Sequence, residues 1–299
     1  MLVTTKEIVE HASANNYAVA APNASSELDA RAYIEAAEEL NAPVIIDVAY
    51  PAHPDIYFLG KVLRELAEQS SVPVAVQLDH GFEKEHILAA IRAGFTSVMI
   101  DRSSLPFEEN VRDVKEIVDY AHAVGVSVEA ELGHVGFADN YAHDRDAALT
   151  SPEEALEYIQ KTGVDCLAVA IGTAHGAYPK GFKPYLDFDR LVEIKKAVNN
   201  FPLVLHGSSG TDIEDIRKVC TLGINKVNIA NDLCKATVDA LKESDLEGAK
   251  AYTVWTVGRD AAKAKLKEMI EVYGSVGKAW VPVAKGLPKE ETTMDEKKN

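Results

Sequence analysis

Three histidines, each followed by glycine, stand out along the chain: His80 in QLDHG, His175 in TAHGAY and His206 in VLHGSSG. Three neutral imidazoles around one ion, with a fourth position left open, make up a common catalytic zinc site. A glycine after each would let backbone or substrate come close without a Cβ in the way. Taken singly, each histidine reads better as a hydrogen-bonded residue at the end of a strand; three at one rim reverse that preference. Asp79 directly precedes His80, and two readings are open for it: a proton-transfer group facing a substrate, or a brace within the fold. LHGSSG (205 to 210) offers the hydroxyls of Ser208 and Ser209 and glycine N–H groups where a strand passes into a helix, a place where phosphate binds readily.

These residues sit at the ends of short β-branched, apolar runs: YAVAAP (17 to 22), PVIIDVA (43 to 49), PVAVQLDH (73 to 80), SVMID (97 to 101), SVEAEL (127 to 132), CLAVAI (166 to 171), PLVLHG (202 to 207) and KVNIAND (226 to 232). Between them lie segments of helical spacing, such as LDARAYIEAAEEL, EENVRDVKEIVDYAHAVG and PEEALEYIQKTG. Eight strand–helix units predict an α/β fold, a single parallel (β/α)8 TIM barrel over residues 1–281 with a C-terminal helical extension near 259 to 273. Residues 282–299 read as a polar, disordered tail. In a barrel the C-terminal strand ends share one mouth, so Asn23, Asp79, His80, Asp101, Glu131, His175, His206, Asn228 and Asp232 are expected to converge there.

With 47 acidic against 31 basic residues and a formal charge of -16, the chain is a poor default partner for nucleic acid or an anionic membrane surface. Its three cysteines show no metal-ribbon or disulfide spacing, and no apolar run is long enough to span a membrane. The composition reads as that of a cytoplasmic protein.

QLDHG, GFTSVMID, VSVEAELG, IGTAHGAY, PLVLHGSSG, INKVNIAND and YGSVGKA, in this order, resemble the class II fructose-bisphosphate and tagatose-bisphosphate aldolases from about residue 5 to 280. The resemblance implies a Zn2+-dependent lyase that splits a ketose phosphate into dihydroxyacetone phosphate and an aldehyde. It implies His80, His175 and His206 as zinc ligands with Glu131 and Asp101 as acidic support, and Asp79 as the proton-transfer group. Gly176, Gly207, Ser209 and Asn228 become contacts to the dihydroxyacetone phosphate half, with Asn23 retained. It also implies a homodimer or homotetramer and leaves room for a monovalent cation such as Na+ or K+.

Several positions depart from the family pattern. Asp139 stands where a loop glutamate returns the proton, and Asn231 replaces a threonine near the phosphate. Ala49 replaces a serine that helps hold the distal phosphate. Arg102 replaces a glycine, and Arg259 matches a basic residue that reaches a neighbouring subunit's distal phosphate. Loss of a hydroxyl with gain of a guanidinium suggests a distal anion that is a bisphosphate or a sulfonate or carboxylate analogue, such as 6-deoxy-6-sulfofructose 1-phosphate. An aldolase with an unphosphorylated donor and a non-catalytic sugar-phosphate-binding barrel are the competing readings.

Overall fold

The computed structural model describes residues 1–133, 135, 149–174 and 184–282. Eight parallel strands run β1 Val19–Pro22, β2 Val44–Ala49, β3 Val74–Gly81, β4 Ser97–Ile100, β5 Ser127–Leu132, β6 Cys166–Val169, β7 Leu203–Leu205 and β8 Ile224–Ile229. They pair in the order β1-β8-β7-β6-β5-β4-β3-β2. A parallel bridge from Asn23 to Asp47, with the Ala24 N–H donating to the Asp47 carbonyl at 2.8 Å, joins the first strand to the second and closes the sheet on itself. The barrel expected from the alternating pattern is therefore observed.

The helices between strands are α2 Glu27–Glu39, α3 Ile56–Gln69, α4 Lys84–Ala93, α5 Phe107–Ala123, α6 Pro152–Thr162, α7 Phe188–Ala197, α8 Ile213–Leu222 and α9 Asn231–Glu243. Local chemistry fixes several ends. Ser26 and Ser151 cap α2 and α6 by accepting N–H groups of the first turn, and Gly94 and Gly163 close α4 and α6. The C-terminal helix, α10 Val254–Tyr273, starts five residues before the expected 259, because Gly258 does not break it. That glycine lets α10 lie close against α9: a Cβ there would come within 3.0 Å of the Thr237 methyl. The expected tail falls outside the described residues from 283 onward.

Before the first strand, α1 Thr5–Ala14 opens with Thr4 and Glu7 in a reciprocal capping box. It plugs the N-terminal end of the barrel: Ile8, Val9 and Ala12 pack with the inward-facing Val19, Ala21, Ile45, Ala75, Ala168 and Val204. A larger apolar layer fills the space between the sheet and the outer helices. Below, the interior is thus closed by these side chains and by buried hydrogen bonds of Thr5 with Gln77 and Ser97, and the opposite end is left for a ligand.

Candidate active site

Alternation along the strands sorts the interior into tiers. Successive residues of a strand point to opposite faces, so residues two apart share one. Asp79, Glu131 and Asn228 form an upper tier at the mouth, and Gln77, Glu129 and Lys226 a lower one, joined by Asp47. All seven are buried.

By the same rule Asp79 and His80 should point apart. They do not, because His80 takes a left-handed conformation, φ +50°, where the β3–β4 register shifts. That conformation costs a non-glycine residue about 1–2 kcal/mol, and here it turns the imidazole back over the mouth. Its Nδ1 faces Asp101 Oδ2 at 2.9 Å, and Asp101 Oδ1 accepts from the Ser103 N–H and hydroxyl. The Nε2 atom of His80 therefore points inward, 3.1 Å from Nδ1 of His206. His206 Nε2 in turn is bonded to Glu129 Oε1 at 2.9 Å.

Two imidazole nitrogens bound at about 2.0–2.1 Å to one tetrahedral zinc would stand about 3.3–3.4 Å apart. The observed separation is close to that. Each ring is also backed by a carboxylate on its other nitrogen, the arrangement that orients metal-ligating histidines. Ligand atoms of Asp79, His80 and His206 lie within 4.8 Å of one another, as do those of His80, Asp101 and Glu131. Glu131 Oε2 is buried, accepts no hydrogen bond among the described residues and sits 3.4 Å from His206 Nδ1. Such an orphaned oxygen suits a cation. His175 and Gly176 lie outside the described residues, as does Asp139.

The electrostatics match a site waiting for positive charge. Burial, reinforced by Asp101, pushes the Glu131 carboxyl up to about 8. Burial pulls His80 down, but Asp79, Asp101 and Glu131 outweigh it and push its imidazolium up to about 10. Burial also works against ionisation of Asp79. The charges of His80, His206 and Lys226 and the Asn23 hydrogen bond overcome it and hold that carboxyl below its usual range. Asp79 is fixed on both sides: Asn23 Nδ2 donates to Oδ2 at 2.8 Å and Asn228 Nδ2 to Oδ1 at 3.0 Å.

A cavity of about 460 Å3 opens above these groups, walled by Asn23, Ala49, Asp79 and His80 on one side and by Gly207, Ser208, Ser209 and Asn228 on the other. Gly207, at φ +65°, could carry no side chain: a Cβ would lie 2.4 Å from the Ala174 carbonyl oxygen. Ala230 and Asn231 line the same cavity at the start of α9, whose N-cap supplies no side-chain bond; the Asp232 N–H donates to Ser209 Oγ at 3.4 Å, which ties the serine turn to the helix N-terminus. Asn231 and Asp232 thus belong to a helix's first turn, not to a strand end.

The two arginines sit further out. Arg102 donates to the Phe82 carbonyl and lies 3.4 Å from Asp113 and 3.7 Å from Glu83, so acidic neighbours already surround it. Arg259, on α10, donates to the neighbouring Asp260 and borders a groove of about 440 Å3 that also includes Ser25 and Ser26. Asn23 and Cys234 line both groove and cavity, so the two are neighbours.

Glu129, Lys226, Asp47 and Gln77 were given no role by the sequence, although three of them lie within the family motifs, yet they form the floor of the site. Their one sequence signal is spacing: Gln77/Asp79, Glu129/Glu131 and Lys226/Asn228 are polar pairs two apart in otherwise apolar strands.

The fructose-bisphosphate aldolase class-II family matches residues 3–278. The chain belongs to this family. This aldolase is 42% identical to a protein of Thermus caldophilus described as a fructose-bisphosphate aldolase, over 93% of this chain and 100% of that one. Among solved structures it is similar to the YdjI aldolase of Escherichia coli K12, with TM-score 0.84 and 36% identity over 94% of this chain and 100% of that one. A fructose-bisphosphate aldolase of Campylobacter jejuni, at 24% identity, shares the fold with TM-score 0.81 over 93% of this chain and 97% of that one. Membership makes the protein a metal-dependent aldolase, a carbon–carbon lyase acting on a sugar phosphate. Among the described residues no helix is long and apolar enough to cross a membrane.

Proposed function

We propose that this aldolase uses zinc to cleave a ketose 1-phosphate with a distal anionic group, reversibly, into dihydroxyacetone phosphate and an aldehyde. The observation that carries the reading is the pair of imidazole nitrogens converging at 3.1 Å beside a buried carboxylate whose two oxygens are each held by an amide. His80 and His206, with His175, would hold the ion, and Glu131 and Asp101 would support it. Bound there, zinc supplies a Lewis acid for the ketone and for the charge that cleavage leaves on the donor half.

Asp79 removes the proton of the C4 hydroxyl. It suits that task because Asn23 and Asn228 fix its direction and nearby positive charge keeps it ionised. The donor phosphate lies against Gly176, Gly207, Ser208 and Ser209 and against Asn231 at the N-terminus of α9, where the helix dipole favours an anion. Asp139 returns the proton to the donor carbon.

Ala49 offers no hydroxyl to the aldehyde half, so its anion is held by arginine. Arg259 borders the open groove next to the cavity, whereas Arg102 must exchange Asp113 for a ligand. A sulfonate or carboxylate satisfies such a guanidinium fork as well as a phosphate does. The description of the Thermus caldophilus relative favours the bisphosphate. The strongly exposed Tyr252 and Trp255 near Arg259 support a homodimer or homotetramer, and three free cysteines without disulfide spacing support a cytoplasmic setting. A monovalent cation such as Na+ or K+ would assist at the phosphate.

Proton NMR of dihydroxyacetone phosphate in D2O with the zinc-loaded protein tests the donor half alone. Loss of a hydroxymethyl proton signal, abolished by chelator, is expected. Absence of exchange with zinc bound would turn the reading towards an unphosphorylated donor.

A further inference from the structure

Beneath the mouth lies a lysine whose charge helps keep Asp79 ionised and whose hydrogen bonds have a second consequence. Lys226 is 0% exposed, inside the barrel, with its ammonium between β2, β5 and β8. Its Nζ donates to Asn228 Oδ1 at 2.6 Å, lies 3.0 Å from Glu129 Oε2 and 3.3 Å from Oε1, and is 3.2 Å from Asp47 Oδ2. An ammonium has three donors and no acceptor, so each contact fixes the direction of the group that receives it.

At Asn228 the consequence is directional. A primary amide has an acceptor at one end and donors at the other, and rotation by half a turn exchanges them. With Oδ1 taken by Lys226, the NH2 end must face Asp79, where it donates at 3.0 Å. A reversed amide would set its oxygen against a carboxylate. At Glu129 the consequence concerns His206. Gln77 Nε2 donates to Oε2 at 2.9 Å, and Lys226 lies 3.0 Å from Oε2 while donating to Oε1 at 3.3 Å, so both oxygens are pinned and Oε1 is held against His206 Nε2. That contact commits the Nε2 proton to Glu129 and turns the Nδ1 lone pair towards His80.

We infer that Lys226 is a positioning residue that aligns both halves of the site at once: the proton-transfer carboxylate through Asn228, and the metal-facing tautomer of His206 through Glu129. The inference rests on the roles proposed above for Asp79 and His206. A lysine that served only to neutralise Asp47 and Glu129 would need no bond to Asn228, and a buried ion pair by itself adds little to stability.

The test compares wild type with Lys226→Met, which keeps the length and loses the donors, and with Lys226→Met/Asp47→Asn, which also removes a carboxylate left without its cation. Zinc affinity is measured by chelator competition, and kcat and KM by cleavage of the substrate found for the wild type. Lys226→Met is expected to weaken zinc about 10–100-fold, as loss of groups that orient ligands does. A misaligned base should lower kcat by about 10²-fold while KM changes much less. Zinc affinity and kcat both at wild-type values in either folded variant would overturn the inference, as would failure of both variants to fold, which would make Lys226 a structural residue. A wild type that neither binds zinc nor cleaves any ketose phosphate would instead refute the proposed function.

Discussion

Gly207→Ala perturbs the site through one methyl group. The Cβ would fall 2.4 Å from the oxygen, 2.5 Å from the carbon and 3.0 Å from the nitrogen of Ala174, all backbone atoms with no flexible end to swing away. Restoring a tolerable 3.0–3.4 Å means moving one chain from the other by 0.6–1.0 Å. The φ of +65° adds a left-handed penalty of about 1–2 kcal/mol, and forced overpacking adds about 1–3 kcal/mol. Together these amount to about 2–5 kcal/mol, or a fall in Tm of roughly 4–10 °C at about 2 °C per kcal/mol for a chain of this size. His206 is the preceding residue, and a shift of about 1 Å in a reacting group can cost about 10²-fold in rate. Differential scanning fluorimetry and steady-state cleavage of the same preparations measure both effects. A Tm within about 2 °C of wild type, together with kcat/KM within about threefold, would refute the packing argument.

Asp79→Asn keeps the volume but removes the base and one of the two oxygens that accept from Asn23 and Asn228, so kcat should fall by about 10²–10⁴-fold or more with zinc stoichiometry unchanged by metal analysis. His206→Ala should instead abolish zinc binding and activity together; a variant that retains stoichiometric zinc would remove His206 from the ligand set. For the distal anion, Arg259→Ala should lower kcat/KM on an anionic acceptor by about 10-fold or more while sparing dihydroxyacetone phosphate exchange. Arg102→Ala should act in the same direction but less, since Asp113 and Glu83 already engage it. Equal kcat/KM for wild type and both variants would show that neither guanidinium reads the aldehyde half.

The strands were legible because a buried parallel sheet demands near-continuous apolar runs, and all eight begin within two residues of the β-branched stretches that announce them. The eighth is shifted towards the N-terminus, Ile224–Ile229 against the expected 226 to 232, because the polar Asn225 hides its start and Asn231 already opens α9. Asn225 and Lys226 are both buried, Lys226 among carboxylates and Asn225 with Lys195, which donates to its side chain at 2.7 Å. Burial of a charge depends on partners brought from β2 and β5, and no local window contains them. The helix α1 announces itself by the Thr4–Glu7 spacing, but its docking inside the barrel end is a tertiary fact. Asp79 and His80 were legible as types and not as directions, because alternation sets them apart until the left-handed turn at His80 brings them together.

The lower tier also gives the aldolase a natural reporter. The His206 ring N–H shared with Glu129 is 0% exposed, with the hydrocarbon of α1 beneath it and the site above. Its proton can meet bulk solvent only when the barrel opens, and exchange there is governed by that opening. Such a proton gives a slow-exchanging, downfield line in an NMR spectrum of the unlabelled protein. Its position would register ion loading at the other nitrogen of the same ring, without substrate and without turnover.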